Sequence, residues 1–430
     1  MANVMECPND APLFDLSHNA TVKFLAGLEH FRSAYAPIHG IVCVGLCLFG
    51  ILTNLVHVMV LSRPNMRNSA VNCILTAVAV CDIGTMGSYL VYIVHFVLRR
   101  RNTCSSTYTH PWMQFLLWHV VLSITLHTTS LWLAVGMAFI RRMTLRVARL
   151  NSFWQRPAFA WKLCLAIYGA VFVLCIPTLL VHDIAEYPNL TWEPPGECAA
   201  RYPSNHSETV YTFMVSKAAT ANNCRFFKWN IWMIGTVFKI IPCILLLLLS
   251  IGLVMKIRDA ERHRRKLTAA SSSSGDVIKK KSHKPDRTTA MLVLILVVFL
   301  ITELPQGVIS ILCAIYTADV HRYLYFYIGD LLDLLSLLNS SVNFILYCLM
   351  SSRYRQTFWT VMLPTRAYSL LMKRATTPSN FNFSQIPMQR KNSNKIRNKE
   401  YAPLATEADD GNGGQVQGSP TLPLERVDQL

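Results

Sequence analysis

A chain of 430 residues that is 52% hydrophobic and only 15% charged is too apolar for an ordinary soluble protein, in which about a quarter of residues carry charge. Its net charge of +17 would suit a nucleic-acid binder, but the basic residues sit between apolar segments and in the tail. No zinc-finger, RNA-binding or basic-zipper pattern accompanies them, so the charge reads as basic flanks of membrane spans that face lipid headgroups, with no nucleic-acid partner.

Residues 1–35 lack the basic-then-apolar run of a signal peptide. Asn19-Ala20-Thr21 is a glycosylation acceptor pattern, so this segment is expected outside the cell, with the first span acting as the insertion signal. The same pattern at Asn339 and Asn382 falls in a span and in the tail, and carries no weight there. Span one covers about Pro37 to Leu61 and contains Asn54 four residues after Gly50; a basic turn with Arg63 and Arg67 follows. Span two, about Val71 to Leu98, holds Asn72, Leu75, Ala79 and Asp82. An intramembrane aspartate is costly and by default functional, and Ser130, Asn339, Ser340 and Asn343 are its polar candidates for partners. Arg99, Arg100 and Arg101 then fall outside, against the positive-inside tendency; solvation in a loop or snorkelling to headgroups accounts for them. Span three runs from about Trp112 to Ile140, carries His119 and His127, and ends in LHTTSLWLAVGMAFIRR; Arg146, Arg149 and Arg156 lie in the loop beyond.

Span four is about Ala158 to Val181. The long outer loop His182 to Trp229 carries acceptor patterns at Asn189 and Asn205, and span five, about Asn230 to Met255, contains FKIIPC with Lys239 and Pro242. The third inner loop has basic ends and a Ser-rich middle, as flexible cytosolic sequence does. Span six is apolar from Ala290 to Leu304 apart from Thr302 and Glu303, and continues past Pro305 into VISILCAIY. At roughly 25 residues it can cross a ~30 Å hydrocarbon core. Pro305 removes a backbone donor and predicts a kink, and Glu303 is an ionisable group close to bilayer depth. After the outer turn TADVHRY, span seven, about Leu324 to Met350, holds Asp330, Asp333, Asn339, Ser340, Asn343 and Tyr347. Residues 351–364 form a short helix in which Tyr354, Phe358 and Met362 make an apolar stripe suited to the inner leaflet. From residue 365 the tail is polar, basic and then acidic, with the composition of disorder; its terminal Asp-Gln-Leu is only a weak match to a PDZ ligand.

Four of the thirteen cysteines, Cys7, Cys104, Cys198 and Cys224, are external in this topology, which predicts two disulfides with three connectivities open. The remainder lie in spans as small apolar packing residues, and no pair has zinc-site spacing. A transporter would be expected to show internal repeats, which are absent. An intramembrane enzyme would need a motif such as HExxH or GxSxG, and the His119/His127 pair has no nucleophile beside it.

The ordered polar positions resemble those of rhodopsin-like seven-helix G-protein-coupled receptors across about residues 36–364. Phe299, Thr302, Glu303 and Pro305 stand where the sixth-helix motif Phe-x-x-Cys-Trp-x-Pro would be, with glutamate in place of tryptophan. Glu-Leu-Pro-Gln-Gly there, the His-Thr-x-Ser-x-Trp-Leu run of span three, and Lys239 with Pro242 are similar to the invertebrate receptors for myosuppressin and related FMRFamide-like peptides. The Glu/Asp-Arg-Tyr motif survives only as Ile140-Arg141-Arg142, which puts the usual ionic restraint on the arginine in doubt, and Asn-Pro-x-x-Tyr reads Asn343-Phe-Ile-Leu-Tyr347 without its proline. The resemblance implies an all-α membrane fold of seven transmembrane helices with an interfacial eighth, at the plasma membrane. It implies a peptide pocket involving Glu303, Asp330, Asp333, His127 and His119. It also implies an activation and sodium cluster of Asp82, Ser130, Asn339, Ser340, Asn343 and Asn54, and a hinge at Phe299, Pro305 and Pro242. G-protein coupling would pass through Arg141 and Tyr347, and a Cys104–Cys198 bridge would tie the top of helix three to the outer loop. The implied partners are an amidated neuropeptide, a heterotrimeric G protein, lipids and an arrestin at a phosphorylated tail, and no cofactor beyond an allosteric sodium ion is expected.

Overall fold

A computed structural model describes residue 7 and residues 11–99, 104–147, 153–271 and 287–363. The Ser-rich middle of the third inner loop, Arg100, Arg101, Arg149, Asn382 and the tail lie outside these described residues.

Seven helices are long and apolar enough to cross a membrane, in the order expected. They are α1 (Asn19–Leu61), α2 (Ala70–Tyr92, continued by π-turns Ile93–Leu98), α3 (His110–Val147) and α4 (Pro157–Val181). After a hairpin come α5 (Lys217–Met233, π-turns Ile234–Ile240, then Ile241–Ser271), α6 (Arg287–Ile315) and α7 (Phe326–Met350, entered through π-turns Val320–Tyr325). The short α8 (Ser352–Met362) starts because the Ser351 hydroxyl accepts the Tyr354 amide at 3.2 Å, a side-chain cap for an otherwise orphaned donor. The lipid-facing side is apolar: on α4, Leu165 is 75% and Phe172 66% exposed, a surface suited to hydrocarbon.

Polar side chains tie the helices together where lipid offers no hydrophobic drive between them. Asn54 donates to the Gly50 carbonyl at 2.9 Å and to the Ser340 carbonyl at 3.0 Å, joining α1 to α7. Tyr168 donates to the Ala77 carbonyl at 3.0 Å, and Thr178 to Asn230 Oδ1 at 3.0 Å, joining α4 to α2 and α5.

Two features depart from the expected boundaries. Helix α1 has 43 residues, about 64 Å of helix against a ~30 Å core, so the boundary placed at residue 35 falls inside it. Its outer part is held by one face, with Leu25 buried and the Arg32 guanidinium 3.9 Å from the Phe326 ring on α7. The outer loop from His182 is a hairpin, β1 (His182–Trp192) against β2 (Glu208–Val215), antiparallel and paired from His182 with Val215, with a register irregularity between Glu186 and Thr191. Helix then resumes at Lys217 rather than Asn230, broken at Ala221–Cys224, where Asn222, Asn223 and Cys224 have φ of 50, 57 and 58°. Disulfides join Cys104 to Cys198 and Cys7 to Cys224. The Asp319 carboxylate accepts the Leu13 and Phe14 amides at 2.7 and 3.1 Å, fixing the N-terminal segment to the turn between α6 and α7.

Candidate functional site

Close packing of α5 on α6 builds the centre of the site. Gly235 lies one turn before Lys239 and Gly307 one turn after Glu303. A Cβ on Gly307 would sit 2.9 Å from Ile240 Cγ1 and 3.0 Å from Lys239 Cβ, and one on Gly235 would sit 3.2 Å from the Gly307 carbonyl oxygen. Only glycine permits this backbone approach, which brings two charged side chains on neighbouring helices within direct reach. The π-turns containing Lys239 end just before Pro242, whose missing N–H breaks the ladder at the same place.

Glu303 is 0% exposed and its carboxylate is fully engaged. Oε2 accepts Lys239 Nζ at 2.6 Å and lies 3.1 Å from His127 Nε2, and Oε1 accepts Asn339 Nδ2 at 3.2 Å. Lys239 also donates to Gln306 Oε1 at 3.0 Å. Gln306 Nε2 in turn donates to the Thr302 carbonyl at 2.8 Å, the Leu332 carbonyl at 3.3 Å and Ser336 Oγ at 2.9 Å. Beside Pro305, therefore, one hydrogen-bonded knot unites α3, α5, α6 and α7. Phe299, one turn below Glu303, is buried with Leu131, Cys243 and Leu296.

A second acid lies towards the end of the bundle that carries α8. Asp82, 1% exposed, accepts Ser130 Oγ at 3.2 Å and Asn343 Nδ2 at 3.1 Å. Asn339, grouped with Asp82 from the sequence, bonds Glu303 instead. Asn339 and Asn343 are one turn apart on α7, and each serves a different carboxylate. Asn54 and Ser340 adjoin this cluster through the Asn54–Ser340 carbonyl bond. A cavity is lined by Ser130, Phe299, Asn339, Asn343 and Tyr347, and the hydroxyl of Tyr347 accepts Arg141 Nη2 at 2.8 Å. The preceding residue, Ile140, is 1% exposed in an apolar core shared by α1, α2, α3 and α4.

From Glu303 towards the hairpin end, Asp333 accepts the Tyr89 hydroxyl at 3.0 Å, and that hydroxyl is 3.4 Å from His39 Nε2. Neither Asp330 nor Asp333 has an ion pair among the described residues. His119 does not join His127: its ring stacks on Tyr92 and Phe115, with centroids 5.0 and 5.9 Å away. Sequence reasoning gave no role to Lys239, Gln306 or Tyr89. A lysine inside an apolar span was the available signal, since such a group needs a named partner.

The comparisons with known proteins agree with this arrangement. Residues 42–364 match the family model described as the serpentine type seven-transmembrane chemoreceptor Srw. The chain is 31% identical over 366 residues to the G-protein coupled receptor dmsr-1 of Caenorhabditis elegans, covering 79% of this chain and 70% of that one. It is 22% identical to the sex peptide receptor of Drosophila melanogaster (76% and 73% covered) and 22% to the FMRFamide receptor of the same fly (74% and 52% covered). With seven spanning helices, buried acids on α2 and α6 and matches of this extent, the chain belongs to the serpentine seven-transmembrane G-protein-coupled receptor family.

Proposed function

We propose that this receptor responds to a short amidated neuropeptide whose basic side chain pairs with Asp333 or Asp330. The observation that carries the reading is charge balance. Glu303 already faces Lys239 at 2.6 Å, whereas the two outer aspartates have no cationic partner among the described residues. A buried arginine needs a carboxylate able to accept paired hydrogen bonds, and these two acids supply one on a single helical face. Relatives named as FMRFamide and sex peptide receptors support a peptide ligand. Glu303 is better suited to switching, because rotation of α5 or α6 must reorganise its hydrogen bonds.

Two disulfides at the end that carries the hairpin favour an oxidising, extracellular side for that end, with the N-terminus outside at the plasma membrane. Asn19, Asn189 and Asn205 are exposed there and are the proposed glycan acceptors. The opposite end presents Arg141 and Tyr347 to a G protein, and arrestin and lipids complete the proposed partners. A sodium ion would be held by Asp82, Ser130 and Asn343, and unpartnered buried oxygens on Asn54 and Thr85 in the neighbouring turns suit a polar, hydrated site.

The test compares Asp333→Asn, Asp330→Asn and Glu303→Gln receptors with peptides ending in Arg-Phe-amide and in citrulline-Phe-amide. Loss of one partner of a desolvated pair costs ~2–5 kcal/mol, roughly 30-fold or more in affinity. At least one aspartate variant should lose the preference for arginine, and Glu303→Gln should keep it. If every variant discriminates arginine as the parent does, the assignment is wrong.

A further inference from the structure

The cytoplasmic end holds a buried hydrogen bond that neither the pocket nor the Asp82 cluster uses. His57 of α1 and Tyr354 of α8 are 1% and 0% exposed, and His57 Nδ1 lies 2.8 Å from the Tyr354 hydroxyl. Both rings lie against Tyr347 of α7: His57 at 5.4 Å between centroids and 62°, Tyr354 at 5.9 Å and 62°. The Tyr347 hydroxyl is thereby directed at Arg141, which it meets at 2.8 Å. Arg141 makes no ion pair among the described residues, because Ile140 has replaced the neighbouring acid. The tyrosine hydroxyl is thus its polar restraint on this side.

Fold stability does not account for the pair. His57 Nε2 is buried without a hydrogen-bond partner, so the ring carries an unsatisfied polar atom whichever tautomer it adopts. An apolar pair of the same shape would escape that penalty, since removing both partners of a buried hydrogen bond is close to neutral. The arrangement is explained by what it holds in place.

We propose that His57 and Tyr354 are positioning residues for coupling. Their hydrogen bond straps α8 to α1 and fixes Tyr347, which presents the Arg141 guanidinium to the G protein in one orientation. The proposal rests on the reading of Arg141 as the residue that meets the G protein. Without the bond, Tyr347 gains room to rotate away and Arg141 loses its orientation, while the peptide pocket on the other side of the membrane is untouched.

The experiment measures nucleotide exchange on a G protein by membranes bearing the full chain, stimulated by a peptide ending in Arg-Phe-amide, with Arg141→Ala as the zero. His57→Leu and Tyr354→Phe should each lower stimulated exchange roughly fivefold to tenfold, the worth of one hydrogen bond. Peptide binding should stay at the parental value. Each single variant leaves one buried polar group unpaired and so lowers the midpoint of thermal unfolding slightly. His57→Leu/Tyr354→Phe, which removes both partners, should keep the parental midpoint and still show the loss of exchange. His57→Asn, which puts an acceptor near the place of Nδ1, should recover most of the loss, and His57→Leu should add nothing in a Tyr347→Phe background. Parental exchange by His57→Leu beside a silent Arg141→Ala would overturn the strut alone. So would a loss that tracks unfolding and ignores the asparagine rescue. Parental exchange by Arg141→Ala would overturn the coupling role of Arg141 and the strut with it.

Discussion

Replacing Lys239 with methionine probes the knot beside Pro305 most directly. Methionine keeps the length of the side chain and removes the charge, leaving Glu303 at 0% exposure with His127 and Asn339 as its remaining partners. At 2.6 Å and an effective dielectric of about 20, the gross attraction of the pair is about 6 kcal/mol. Desolvation of both ions offsets most of that, so the intact pair contributes little net stability. Breaking it is different, because one charge stays buried and uncompensated at a cost of ~3–5 kcal/mol. The two surviving hydrogen bonds place this case at the lower end, about 3 kcal/mol, or roughly 6–12 °C of thermal midpoint at about 2–4 °C per kcal/mol for a large domain. Lys239→Met should therefore be clearly less stable in detergent, and Lys239→Met/Glu303→Gln should regain at least half of the loss while signalling abnormally. If the double variant is as unstable as the two singles summed, Lys239 and Glu303 are not coupled and the knot does not exist as described.

Two further predictions concern the walls of the site. Sodium, in preference to potassium, should weaken agonist binding to the parent, and agonist should weaken sodium binding equally; Asp82→Asn should erase both effects, and persistent sodium sensitivity would refute the site. Gly307→Ala should lower the thermal midpoint despite the roughly 1 kcal/mol helix advantage of alanine, because its Cβ meets Lys239 Cβ at 3.0 Å; a stabilised variant would show that α5 and α6 do not touch there.

The seven spans were legible because each is a long apolar run, and the buried acids because charge is rare in such runs. Their partners were not. Lys239 and Glu303 are 64 positions apart, and whether they meet depends on the rotation of two helices about their axes. That rotation is set by the π-turns and by Gly235 and Gly307, neither of which has a periodicity to read. Asn339 and Asn343 illustrate the same limit: both face inward, and only the tilt of α7 decides that one reaches Glu303 and the other Asp82. The outer half of α1 was partly readable, since Thr21, Leu25, Leu28, Arg32 and Tyr35 recur at three- and four-residue spacing. Lys23, Glu29 and Arg32 within it kept it apart from the uninterrupted apolar run that marks the span.

The clasp at the hairpin end constrains how the molecule can move. Cys7 is bonded to the start of α5 and, six residues on, Leu13 is held by Asp319 beside the end of α6. A six-residue chain reaches at most about 20 Å, so the outer ends of α5 and α6 are leashed to each other. Two rods leashed at one end can part only at the other. For this receptor, a displacement of α6 at this end larger than the leash allows would have to break the clasp, whereas a swing that opens the opposite end leaves it intact. The N-terminal segment therefore acts as the pin of a pair of shears, and its removal should widen the range of motions open to α6 without touching any residue that moves.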